Sequence, residues 1–284
     1  MNNNYIFKKI IICNTLLWLF ITLMMPNIIM IIISLTKRNS NYLINFNFTL
    51  DNLCQAFSPL YLKIYFNSLK IGIISVLFCL IFGYIYAFLM YIERNKLVKY
   101  LMLILVIVPF WTSSLIRTYS IIYILKFNGF LNKLLQILGI IEKPLNMLYN
   151  EGAVIFGFVY TLIPFMIIPI FLSLRKIDYS LIESAQDLGA ANSIIFLKII
   201  LPLSNDGVTL GCSMVFLSSL GMFYLSDLLG GSKNILVGNL IKDQILLSNN
   251  CNLGAAISVI LCIIVIIGMM CQRTRYKINC YSTK

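Results

Sequence analysis

The segment Glu183-Ser-Ala-Gln-Asp-Leu-Gly-Ala-Ala-Asn-Ser-Ile-Ile-Phe-Leu-Lys-Ile-Ile-Leu-Pro202 is polar and amphipathic, yet it lies between two long apolar runs. Ser180 followed three positions later by Glu183 has the spacing of a capping box. That predicts a short helix whose apolar side carries Leu181, Ile182, Ala185 and Leu188. Gly189 suits its end, Asn192 or Ser193 suits the start of a second short helix through Ile200, and Pro202 closes the segment. Two short helices joined at a glycine make a compact knob. Glu183 can cap its own helix and still serve as a contact, because a capped helix is a rigid one.

Outward from this knob the chain is apolar. Of its 284 residues, 60% are hydrophobic and 11% charged, with a mean hydropathy of +0.91, which excludes an ordinary soluble domain. A membrane-crossing helix needs about 20 apolar residues. Runs at Ile10–Thr36, Ile71–Ile92, Tyr100–Ile116 with an extension past Arg117, Gly152–Leu174, Gly207–Ser226 and Leu253–Cys271 approach or exceed that length. The expectation is an all-α, polytopic membrane protein of about six spans, forming one domain over 1–284 with a polar loop at 175–206. The first run follows Lys8 and Lys9 but exceeds a signal-peptide core and lacks a small-residue cleavage site, so it reads as a retained span.

An even number of spans puts both termini on one side. Lys8, Lys9, Arg94, Lys96, Lys99, Arg175, Lys176, Lys198, Arg273, Arg275, Lys277 and Lys284 share it. Lys37, Arg38, Lys63, Lys70, Lys126, Lys133, Lys143, Lys233 and Lys242 fall in longer opposite loops. The dense Glu93–Lys99 loop and the basic tail make the termini, and with them the 183–202 knob, cytoplasmic. Positive-inside bias also accounts for the net charge of +12, and no basic patch with interleaved aromatics speaks for nucleic acid. The eight cysteines show no metal-ligand spacing and no histidine accompanies them. Cys13, Cys79, Cys212 and Cys262 fall inside spans as small core residues, while Cys54 and Cys251 face outside with nothing to place them together. No phosphate-binding Gly-rich loop, nucleophile elbow or paired carboxylates appear, so no cofactor and no catalytic residue are expected. Pro109, Pro164 and Pro169 lie within spans, where freed carbonyls need a neighbour or a water-lined cavity.

The 183–202 segment resembles the cytoplasmic loop of ATP-binding-cassette (ABC) importer permeases, of the form Glu-Ala-Ala, three residues, Gly, nine residues, Ile, one residue, Leu-Pro. Glu183, Ala185, Gly189, Ile199, Leu201 and Pro202 keep every spacing, and Ser184 replaces the second-position Ala. Val108–Tyr119, Gly221–Asn234 and Phe48–Asn52 extend the resemblance to spermidine/putrescine permeases of the PotB type. That family implies a type I importer fold in a bacterial inner membrane, a second homologous permease, a cytoplasmic ATPase dimer docked on the loop, and a periplasmic polyamine-binding protein. Hydrolysis would then occur on another chain, and this one would not be an enzyme. The outer loops Lys37–Lys70 and Lys126–Glu151 would receive the loaded binding protein.

For a cationic cargo, Asp227 beside Tyr224 is a candidate contact, because an acid at membrane depth is costly. Trp111, Tyr119 and Tyr224 could add cation–π contacts of about 0.5–2 kcal/mol. The plainer alternatives are an Asp227–Arg117 ion pair and aromatics that anchor the spans at the interface. The same machine could also carry iron, thiosulfate or an amino acid. An ion-coupled secondary transporter would leave the 183–202 pattern unexplained.

Overall fold

The computed structural model describes residues 2–37, 48–231 and 234–282. Arg38, Lys233 and Lys284, with most of the outer loop at 38–47, lie outside the described residues, as do the side chains of Arg273, Arg275 and Lys277. Helices joined by short loops make up the described residues, and among them the one β feature is an isolated bridge between Thr36 and Phe48. In chain order the elements are α1, whose apolar part is Phe7–Ser34, α2 (Asp51–Ala56), α3 (Pro59–Ile92), α4 (Lys96–Trp111), α5 (Ser114–Leu125) and α6 (Phe130–Ile137). There follow α7 (Glu151–Leu174), α8 (Tyr179–Asp187), α9 (Asn192–Leu203), α10 (Asn205–Gly221), α11 (223–230), α12 (237–247) and α13 (Cys251–Ser282).

Four helices, α1, α3, α7 and the apolar part of α13, are long and apolar enough to cross a membrane, and up to six spans result if α4 with α5–α6 and α9 with α10 each count as one bent span. Three boundaries differ from the sequence expectation. α3 begins at Pro59, so Lys63 and Lys70 lie in the helix and not in a loop. At 34 residues it is about 51 Å long and outruns a hydrocarbon core of about 30 Å. The third span does not continue straight past Arg117: the chain turns by 99° after Trp111. Pro109 ends the ladder there, and its carbonyl accepts from the Thr112 N–H at 3.4 Å and hydroxyl at 2.7 Å. α10 stops at Gly221, and Met222 leaves helical geometry before α11.

The chain divides into two compact units, 1–63 with 240–268, and 64–239 with 269–284. In the first, the last carbonyls of α1 are satisfied by two asparagine amides. Asn52 Nδ2 donates to Ser34 O at 3.1 Å and Thr36 O at 2.9 Å, and Asn252 Nδ2 donates to Ile33 O at 3.0 Å and Thr36 O at 2.8 Å. Unmade bonds at that helix end would be expensive in a lipid phase. Cys54 and Cys251 are free thiols in this unit. Cys13 and Cys262 are exposed along their helices and are not core residues; Cys79 is buried.

The second unit is built around α7. Val154, Phe158, Leu162, Met166, Ile170 and Leu174 recur every four residues and are all fully buried, one continuous stripe of a helix. Asn150 caps α7 by accepting the Ala153 N–H at 2.8 Å. α10 packs directly on α7 because Gly207 and Gly211 remove the side chains in the way. A Cβ at Gly207 would sit 2.5 Å from the Pro169 carbonyl oxygen, and one at Gly211 2.7 Å from the Met166 sulfur. Gly207-x-x-x-Gly211 is thus a close-approach helix pair of the small-residue type that membranes favour. The core continues to Ile182, Ile195 and Ile200, so the polar segment shares it.

Candidate functional site

α8 starts two residues earlier than the capping-box spacing implies. Its N-cap is Asp178, whose carboxylate accepts the Ser180 N–H at 3.3 Å; Ser180 is already helical and Glu183 is exposed rather than reaching back. Asp wins because its ionised oxygen is the better acceptor at the positive end of a helix. The end of α8 follows expectation. Gly189 has φ +76°, its N–H donates to Gln186 O at 2.9 Å, and the Ala190 N–H donates to Ala185 O at 3.0 Å, the paired bonds of a Schellman stop. Only glycine takes that backbone freely, which explains Gly189 physically.

α9 has Ala191 at its N-cap position, so neither Asn192 nor Ser193 caps it. Pro202 does not close the segment either. Lacking an N–H, it leaves the ladder to a wider turn in which Leu201 N–H reaches back five residues to Phe196 O, and the helix continues to Leu203. The 61° bend to α10 comes at Ser204. That residue is fully buried; its hydroxyl donates to Leu201 O at 3.0 Å and lies 3.0 Å from the Tyr84 hydroxyl of α3. Phe196 packs edge-on against Tyr84 and Phe88, with ring centroids 5.8 and 5.1 Å apart. α3 therefore grips both the body of α9 and its hinge. Tyr84 and Ser204 were not singled out from sequence, and a serine directly after Leu-Pro-Leu is a weak signal.

Of the motif residues, Ala185 and Ile199 pack inward against the core, Gly189 makes the turn, and Glu183, Leu201 and Pro202 are exposed. Ser184 turns its hydroxyl onto the Ser180 carbonyl at 2.8 Å, so the departure from Ala is absorbed within one helical turn. The apolar side expected for α8 is split. Ile182 and Ala185 face the core, whereas Leu181 is exposed and Leu188 is 88% exposed. α9 adds Ile194 and Leu197, the latter 61% exposed. The knob thus has one apolar side buried and a second one bare.

The cargo candidates are placed less tightly. Trp111 is 84% exposed at the end of α4 and Tyr119 is exposed on α5; Tyr224 is half-buried against the core. Asp227 lies on α11, against which α5 packs, and accepts a hydrogen bond from Asn239 Nδ2. The same amide donates to Phe223 O at 3.1 Å, so Asn239 ties Asp227 to the start of its own element. Arg117 is 9% exposed and its guanidinium stacks 5.5 Å from the Phe110 ring centroid; among the described residues no ion pair joins it to Asp227.

Comparison with known proteins fits this arrangement. Residues 80–272 match the family described as "Binding-protein-dependent transport system inner membrane component". The spermidine/putrescine transport system permease protein PotB of Escherichia coli (strain K12) is 42% identical over 253 residues, 89% of this chain and 91% of that protein. Its counterpart in Salmonella typhimurium (strain SL1344) is 40% identical over 270 residues, 95% of this chain and 93% of that one. Among solved structures, a chain of a bacterial ABC transporter involved in the import of the acidic polysaccharide alginate superposes with a TM-score of 0.75 at 17% identity, covering 95% of both chains. At that identity the likeness is one of fold.

Proposed function

The chain belongs to the family of binding-protein-dependent transport system inner membrane components, and from that premise we propose that it is the permease subunit of an ATP-driven importer for polyamines, spermidine or putrescine. It is a multi-pass inner-membrane protein. In this reading it acts as one permease domain with both termini in the cytoplasm and lipid around its apolar spans. A second homologous permease completes the pathway, a cytoplasmic ATPase dimer binds the 175–206 loop, and a periplasmic polyamine-binding protein delivers cargo. ATP hydrolysis belongs to the ATPase subunits.

The observation that carries the coupling role is the bare side of the knob: Leu181, Leu188, Ile194 and Leu197 beside Glu183, on helices whose opposite side is fixed into the core. A grouped exposure of large apolar residues on a polar loop marks a protein contact. A push on this side reaches α10 through the hinge at Ser204 and α3 through Phe196. Different affinities of the ATPase for the two arrangements then bias the transport cycle. Asp227 and the rings of Tyr224, Trp111 and Tyr119 supply the cation-attracting surface along the path, while cargo selection rests with the binding protein.

The test is ATP-driven uptake of radiolabelled spermidine into proteoliposomes that hold this chain, its second permease and the ATPase, with binding protein outside. Wild type accumulates spermidine, and Glu183→Arg abolishes uptake without loss of the folded permease. ATP turnover stimulated by binding protein without spermidine uptake would refute the cargo.

A further inference from the structure

Tyr149 holds a backbone conformation that a bulky side chain resists. Its φ is +62°, and the one other non-glycine residue at positive φ among the described residues is Asn249, whose short amide tolerates that region. Such a conformation persists only where the surroundings over-determine it. Here both neighbours are fixed. Leu148 is buried in the core, and Asn150 caps α7 while its amide donates to the Met147 carbonyl at 3.2 Å. Tyr149 between them is 56% exposed.

The conformation turns the Tyr149 N–H onto the Leu229 carbonyl at 2.9 Å and lays the ring against Gly231, where a Cβ would sit 3.0 Å from the ring carbon Cδ1. Gly231 itself has φ +60° and ψ −165°, a backbone open essentially to glycine alone. Both contacts grip the end of α11, two and four residues past Asp227. α11 is a short segment with a non-helical residue at each end, Met222 with ψ +69° and Gly231, and its last turn, Ser226–Gly230, is widened to π geometry. Terminal breaks of this kind absorb the dihedral changes of a hinge, and π turns are frequent at functional sites. Small residues let α11 lie close on α7: Gly157 faces Leu225 and Leu229, and Gly230 faces Val154. Asn239 ties the first turn of α11 through the Phe223 carbonyl, and Tyr149 ties the last.

We infer that Tyr149 is a strained clasp and a positioning residue: it fastens the end of α11, and with it Asp227, in the arrangement seen here, and lets go when the path opens outward. The strain belongs to the fastened state alone, so its relief lowers the cost of opening. This rests on the importer reading for the existence of a second arrangement, and not on the identity of the cargo.

The experiment follows amide exchange over 145–152 by mass spectrometry in the complete complex in lipid nanodiscs, first nucleotide-free and then trapped with ATP, orthovanadate and binding protein. The Tyr149 amide is protected in the first condition and exchanges at least about tenfold faster in the second. The Leu145 amide, held by Asn132 Oδ1 at 3.0 Å, does not change and serves as the internal control. Equal protection of Tyr149 in the two conditions overturns the clasp. ATP turnover without binding protein is the second readout. Tyr149→Val keeps the donor but resists positive φ, so that turnover rises at least about threefold as the fastened state is lost. Tyr149→Asn tolerates the conformation and stays within about twofold of wild type. Equal turnover in the two variants removes the backbone from the account and overturns the proposal; if Tyr149→Val does not fold, exchange in wild type decides. Uptake of labelled spermidine by wild type is measured alongside. Turnover without uptake refutes the cargo and leaves the clasp standing, whereas a wild-type complex that does not turn over ATP refutes the importer reading and the clasp with it.

Discussion

α7 and the knob of α8 and α9 are both rich in large apolar side chains, but they use them in opposite ways. Along α7 one stripe of such residues recurs every four positions from Val154 to Leu174 and is fully buried, while Phe156, Ile168 and Leu172 stay exposed on a helix long and apolar enough to cross a membrane. On the knob the inner residues Ile182, Ile195 and Ile200 are buried, while Leu188 and Leu197 are bare. A buried stripe fixes where a helix sits. An apolar side left open on a fixed helix is a surface awaiting a partner. The two regions share one core, so a load taken on the open side is delivered to the spans.

The comparison breaks most visibly at Gly207. A leucine there has no room beside the Pro169 carbonyl, and overpacking of this kind costs about 1–3 kcal/mol or more. Gly207→Leu is expected to lose most of the monodisperse protein in detergent size-exclusion chromatography. Met166→Ala, which hollows the contact of α7 with Gly211 one turn on, is expected to cost about 2–5 kcal/mol and to lower the thermal midpoint by several degrees. On the open side the signs reverse. Leu188→Asp is expected to leave the midpoint within about a degree of wild type, as a surface change does, while ATP-driven uptake falls at least about tenfold. If Leu188→Asp lowered the midpoint as far as Met166→Ala, the contrast between the regions would be wrong. The smallest effect concerns the start of α8. Asp178→Ala removes its cap, worth about 0.5–2 kcal/mol, and should speed amide exchange at Ser180 several-fold, whereas Glu183→Gln should not change it.

How much of this was legible in the chain depends on whether local chemistry or a distant neighbour decides the feature. Span number and the Gly189 turn are local: charge-free length and a residue tolerant of positive φ are written in the sequence. The start of α8 is local as well, but Asp178 and Ser180 compete two residues apart, and the capping-box pattern pointed to the weaker acceptor. The bend after Trp111 had its signal in Pro109, although a proline in a span can also leave it straight, as Pro164 and Pro169 do within the unbroken α7. Gly207-x-x-x-Gly211 went unread, and nothing in its spacing says that α7 is what comes close. Which leucines of the knob are buried, and that Arg117 stacks on Phe110, depends on elements far away in sequence. Such facts have no local signature.

The central claim is that the open side of the knob is where the ATPase engages. The direct measurement is the affinity of the purified ATPase subunit for the permease pair in lipid nanodiscs, comparing wild type with the double variant Leu188→Asp, Leu197→Asp. Binding weakened at least about tenfold, with an unchanged thermal midpoint of the permease, is the predicted result. Equal affinity in the two, with both permeases folded, would contradict it.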